Sequence, residues 1–177
     1  MKKRALLIIS FALILIILSI CVLFVFRAQI MYNAKMYSQS EELILPSFLE
    51  ENKVRGAFYL NHDYDPDDEN SNEYYREKDA PENRILIIDN ADTFNEIFKN
   101  NALDVNWDKE ILLLYIFSDV NPHREYKLKN ISSQDGNIKI YYKLEGGLSK
   151  DSTAPYPRCL IVKMRKQSIH NVEFIEK

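Results

Sequence analysis

Glu110-Ile111-Leu112-Leu113-Leu114-Tyr115-Ile116-Phe117 is the stretch whose reading decides the fold. Its six central residues are an unbroken apolar run of strand length, and this is the strongest strand signal in the chain. A central position in a sheet is predicted for it. Outward from it, Ile85–Ile88 is a second aliphatic run, of the kind shown by a strand covered on both faces. Between the two, Asn90 suits an N-cap and Asp92 faces the dipole from the first turn. Phe94, Ile97 and Phe98 then recur at i, i+3, i+4, which predicts one packed helix at about residues 91–100, stopped by Asn100-Asn101.

Downstream the pattern turns to hairpins. Glu125 to Ile131 places Tyr126 and Leu128 on one face, and Ile131 falls out of phase, which predicts a bulge. Asp135-Gly136 is a two-residue hairpin signal. Ile138, Ile140, Tyr142 and Leu144 alternate with Lys139, Tyr141 and Lys143, as in a strand with one wet face. Arg158–Met164 and Ile169–Ile175 complete the set. The predicted core is Ile87, Phe94, Ile97, Phe98, Trp107, Leu112, Leu114, Ile140, Ile161 and Val162.

Upstream, Ala5 to Phe26 has no charged side chain and follows Lys2-Lys3-Arg4. About 20 apolar residues suffice to cross a bilayer as a helix, so this run predicts a transmembrane anchor. Leu18–Cys21 is a near miss for a lipobox, since Ile20 is not small, and no convincing cleavage site follows; a lipoprotein or a cleaved signal is the alternative to the anchor. The basic residues favour an inward N-terminus. The expected layout is a cytoplasmic tail at 1–4, an anchor at 5–26, a juxtamembrane helical segment at 27–52 and an extracytoplasmic domain at 53–177. The expected location is the cell membrane, single-pass, with the C-terminal domain outside the cytoplasm. In that layout Ile30, Ala34 and Tyr37 continue the helix, Ser47–Glu50 starts a short second one, and Val54 to Leu60 is a short strand. The fold class is therefore α+β: a transmembrane helix, then one mixed, mainly antiparallel β-sheet domain, sandwich- or barrel-like, with one packed helix.

Beyond Arg27 the chain carries 19 basic and 26 acidic residues, a balance of −7. Such a domain repels phosphate, so nucleic acid is excluded as a partner. Acidity peaks in Asn61 to Asn83, read as a long exposed loop. Asp63, Asp65 and Asp67 repeat the first ligand spacing of an EF-hand, but Asp68 stands where the turn glycine belongs and Tyr74 where the closing glutamate belongs. They are the only metal candidates, and weak binding is expected. His62, His123 and His170 lie in separate elements with no ligand spacing, and Cys159 alternates with Ile161 as a core residue does. A Cys159–His170 pair lacks an adjoining oxyanion loop, and Gly146-Gly147 is too short to cradle phosphate. No enzyme and no cofactor is expected.

The order of Ile85–Ile88, Phe94-Asn95-Glu96-Ile97-Phe98, Val105-Asn106-Trp107, Ile111–Ile116 and Pro157 before Leu160-Ile161-Val162-Lys163 resembles the C-terminal domain of PrcB-like protease-complex subunits over about 84–177. Arg124-Glu125-Tyr126 departs from that family's Gly-Gly-Tyr. The resemblance implies an accessory, non-catalytic role and carries no site residues over. The expected function is a membrane-anchored interaction module that regulates or scaffolds a protease or other envelope partner, with tyrosines such as Tyr141 and Tyr156 at the contact. The alternative is an extracytoplasmic ligand- or cation-sensing domain that uses the acidic loop at 61–83 and a tyrosine-rich surface (Tyr74, Tyr75, Tyr141, Tyr142, Tyr156). Against a binding patch stands the reading of these tyrosines as ordinary strand residues, since aromatics favour strands.

Overall fold

The computed structural model describes residues 11–20, 22, 31–120, 124–145 and 154–177. Nine strands dominate: β1 (Lys35–Tyr37), β2 (Phe58–Leu60), β3 (Tyr74–Arg76), β4 (Asn83–Ile88), β5 (Glu110–Asp119), β6 (Glu125–Gln134), β7 (Asn137–Glu145), β8 (Tyr156–Arg165) and β9 (Asn171–Glu176). Beside the helical residues 11–20 and a 3-10 turn at Glu41–Leu43, two short helices accompany the strands, α1 (Pro46–Glu51) and α2 (Ala91–Ile97). The strands form three sheets, ordered β1-β8-β5-β4, β6-β7-β9 and β2-β3.

The fold is thus mainly β, which corrects the α+β expectation. Among the described residues no helix is long and apolar enough to cross a membrane. Within the expected span, the described residues 11–20 and 22 are helical. Residues 5–10, 21 and 23–26 of that span, Cys21 among them, lie outside the described residues. The transmembrane helix over 5–26 is accordingly not supported. The helical reading of 27–52 also changes. Lys35–Tyr37 is not helix but an edge strand, paired antiparallel with Lys163, Val162 and Ile161 of β8. The i, i+4, i+7 spacing of Ile30, Ala34 and Tyr37 was a weak helical signal, and the open edge of β8 outweighs it.

β5 is central, between β4 and β8. Its residues Ile111 to Ile116 are all buried because the four-stranded sheet is covered on both faces. Leu112, Leu114 and Ile116 meet α2 and the segment from Ile44 to Tyr59, joined by Cys159 and Ile161 from β8. Ile111 and Leu113 face the other way, with Val162 and Met164, onto Ile131, Ile138, Ile140 and Val172 of the three-stranded sheet. A period of two on a doubly covered strand therefore yields a continuous apolar run.

α2 is held by its cap. Asn90 Oδ1 accepts the Thr93 N–H at 2.9 Å, and Phe94 stacks on Phe98 with centroids 4.6 Å apart. The helix ends at Ile97, shorter than expected, because Phe98 is extended and bridges Ile44. The bulge before Ile131 is present as a register shift between Leu128 and Asn130, which returns Ile131 to the buried face. Asp135 and Gly136 turn the hairpin with φ of 50° and 76°. β9 then pairs parallel to β7, the one parallel pair among the described strands.

Of the predicted core, eight residues are buried: Phe94, Ile97, Phe98, Leu112, Leu114, Ile140, Ile161 and Val162. Trp107 is half-buried against Phe94. Ile87 is 43 % exposed, since β4 is an edge strand and the three-stranded sheet leaves that end of it open.

Candidate interaction surface

The β2–β3 ribbon interrupts the segment expected to be one loop at 61–83. Antiparallel pairing sets Phe58 opposite Arg76, Tyr59 opposite Tyr75 and Leu60 opposite Tyr74. Opposite residues share a face. The inner face is therefore Tyr59 and Tyr75, and the outer face is Phe58, Leu60, Tyr74 and Arg76.

The inner face fixes the ribbon to the core. Tyr59 is buried, and its Oη accepts the Val54 N–H at 2.9 Å. Lys53 lies over both tyrosine rings, at 5.5 and 5.1 Å from their centroids, and donates to Tyr75 Oη. That hydrogen bond, with help from Glu50 at 3.4 Å, keeps the ammonium above its ordinary pKa. Burial raises the Tyr59 phenol. On the far side of β2, the Phe58 N–H donates to the Pro155 carbonyl at 2.8 Å, which brings the start of β8 alongside.

The outer face is different. Leu60 is 41 % exposed and Tyr74 52 % exposed. Phe58 and Tyr74 join Ala154, Pro155 and Tyr156 around an apolar cleft of about 390 Å³. Tyr64, in the loop that follows β2, is another exposed large ring. Tyr156 Oη is shielded and has no hydrogen-bond partner among the described residues, and burial holds the phenol above its usual range. Apolar and aromatic side chains left open on both strands of a ribbon are what a docking surface presents.

A second cleft, about 430 Å³, is lined by Asn33, Asn106, Asp108, Lys109, Glu110, Arg165 and Lys166. Its charges are of mixed sign and partly committed. Lys166 Nζ donates to the Asp89 and Trp107 carbonyls, and Glu110 accepts the Asn106 N–H and approaches Lys163. It offers no coherent recognition chemistry.

Where the ends of β5, β6 and β8 meet, a buried polar network closes the core. Asp119 accepts from Arg124 Nη1 at 3.0 Å and from Tyr126 Oη at 2.5 Å. Burial, then the Asp119 acceptor, raises the Tyr126 phenol. Glu41 Oε1 accepts the Cys159 N–H at 2.6 Å and lies 3.3 Å from Arg158 Nε. Burial nevertheless leaves the Glu41 carboxyl above its ordinary value. These contacts pin the chain between β1 and α1 onto β8, which is a structural task.

The residues singled out from sequence fare unequally. Tyr156 lines the apolar cleft, whereas Tyr141 lies on the outer face of β7 under Lys177, whose Nζ is 4.2 Å from its ring centroid. Tyr142 is buried, not on the surface. Asp63, Asp65 and Asp67 are not gathered around a common point. Asn61 Oδ1 accepts the Asp63 N–H, Asp65 Oδ1 the Asp67 N–H and Asp68 Oδ1 the Asn70 N–H, so side chains here cap the loop backbone. No group of three or more metal-ligating side chains occurs among the described residues. Cys159 is buried in the helix-side core, where desolvation and Glu41 push its thiol up. His170 sits on the β6–β7 turn, its Nδ1 3.2 Å from the Asp135 carbonyl oxygen, so the two do not form a pair. His62 lies 4.0 Å from Glu50, and His123 and Gly146-Gly147 lie outside the described residues.

Sequence reasoning missed Phe58, Leu60, Ala154 and Pro155. The alternation Phe58–Tyr59–Leu60 was legible, but nothing local says that Pro155, almost a hundred residues on, lies beside it. Comparison with protein-family models, with curated proteins and with solved structures finds no match to this chain.

Proposed function

We propose that the protein is a non-catalytic interaction module whose contact surface is the outer face of the β2–β3 ribbon together with Ala154, Pro155 and Tyr156. The observation that carries this reading is the apolar cleft between Phe58, Tyr74 and Tyr156, beside an exposed Leu60. Fully covering one such side chain contributes about 1.5–3 kcal/mol, so two or three anchors support a specific contact. An accessory role toward a protease or other envelope partner, as the PrcB-like resemblance implies, fits a surface of this kind.

The test compares complexes recovered by the native chain with those of a Leu60→Ser, Tyr74→Ser variant and a Tyr141→Ser control. A stoichiometric partner retained by the native chain and the control, and lost with the ribbon variant, is the expected result. The same partner retained by the ribbon variant, with its melting transition intact, overturns the reading.

A further inference from the structure

We infer that the occupant of this surface is an extended polypeptide segment with an apolar anchor flanked by Lys or Arg; the inference rests on the interaction reading above. The first argument is charge. The loop joining β2 to β3 leaves the ribbon at its Leu60–Tyr74 end and carries Asp63, Asp65, Asp67, Asp68, Glu69 and Glu73, with no Lys or Arg between Asn61 and Glu73. It is a shaped element. The Asn61 N–H donates to the Glu73 carbonyl at 2.7 Å across its base, and the Asp65 N–H donates to Ser71 Oγ at 2.9 Å across its middle. Tyr74 of the cleft directly follows Glu73 at the foot of this loop, so the apolar floor adjoins a run of six carboxylates, with Arg76 the one cation on the outer face of the ribbon; the excess of negative charge attracts cationic flanks and repels acidic ones.

The second argument is backbone geometry. β2 has β3 on one side and Pro155 on the other, whereas β3 pairs with β2 alone among the described strands. An edge strand of this kind is a template on which an extended segment adds as another strand. An anionic lipid surface is disfavoured by the same six carboxylates, and nucleic acid likewise.

The experiment titrates the full chain with three synthetic decapeptides sharing a central Phe-Leu pair, flanked by lysines, by serines or by glutamates, and with phosphatidylcholine vesicles. Expected is binding of the lysine-flanked peptide about tenfold or more above the glutamate-flanked one at low ionic strength. The difference shrinks toward 1 M salt, where screening acts within about 3 Å. Tyr74→Ser abolishes the binding, and replacing Asp63, Asp65, Asp67 and Asp68 by Asn removes the preference among flanks. Equal affinity for all three peptides, still lost with Tyr74→Ser, overturns the charged-partner inference and leaves the interaction surface standing. Lysine-dependent binding indifferent to Tyr74→Ser overturns both, and no binding of any peptide overturns the extended-segment inference alone. Vesicle binding that needs Tyr74, without peptide binding, assigns the surface to membrane and overturns the peptide class.

Discussion

β5 and the β2–β3 ribbon are built from the same kinds of residue and end in opposite states. In β5, Ile111 to Ile116 are buried because each face of the strand meets a second layer. In the ribbon only one face meets a layer: Tyr59 and Tyr75 turn inward, while Leu60 and Tyr74 remain in solvent. An apolar side chain that has found its layer informs about folding. One held open by a well-anchored backbone informs about recognition.

That contrast can be broken in graded steps. The largest effect is expected from Leu114→Ala, which empties space between β5 and α2 and costs about 2–5 kcal/mol in denaturant unfolding. A loss under about 0.5 kcal/mol would be surface-like and would contradict the double coverage of β5. Next is Gly136→Ala. At φ +76° a Cβ meets His170 Nδ1 at 2.7 Å, so the imidazole or the turn must shift. About 1–2 kcal/mol of destabilisation is expected from left-handed backbone alone. An unchanged midpoint would mean that the turn adopts another form.

Glu41 sharpens the comparison through pH. Burial raises its folded-state pKa, so the folded chain holds that proton more tightly than the unfolded chain. The corresponding stability is fully present below the ordinary carboxylate value and is lost as pH rises through the raised one, with a slope no steeper than about 1.4 kcal/mol per pH unit for one group. Glu41→Gln should flatten that part of the stability–pH curve. A slope unaltered by the substitution would place the titration elsewhere. The smallest stability effect is expected on the ribbon: Leu60→Ser and Tyr74→Ser should each stay within about 0.5 kcal/mol of the native chain. A loss of several kcal/mol would show that these side chains serve the core instead.

Much of this was legible where the signal is local. The unbroken run at Ile111–Ile116, the cap at Asn90, the Asp135-Gly136 turn and the phase slip before Ile131 each follow from neighbours in sequence. What failed depends on pairing at a distance. Lys35–Tyr37 becomes a strand only because β8 has an open edge, and Tyr74–Arg76 only because β2 lies opposite. Read as one exposed loop, Asn61 to Asn83 gives no sign of its ties to the fold. In fact Glu77 bonds Gly56 and Ala57 through its backbone, and its carboxylate accepts the Asp79, Ala80 and Lys78 N–H groups, which depresses its pKa. Ile87 looked like core by composition, yet an edge strand leaves it half open. Of the surface, Tyr74 and Tyr156 were visible as part of a tyrosine excess, but the cleft joins segments that only the tertiary fold brings together.

The ribbon's role is tested most directly by mapping nuclear magnetic resonance shifts of the full chain during titration with the lysine-flanked Phe-Leu peptide. Saturable shifts centred on Phe58, Leu60, Tyr74, Ala154 and Tyr156, with β7 and β9 unmoved at Tyr141 and Phe174, are expected. Shifts centred on β7 and β9, or spread evenly over the molecule, would contradict it.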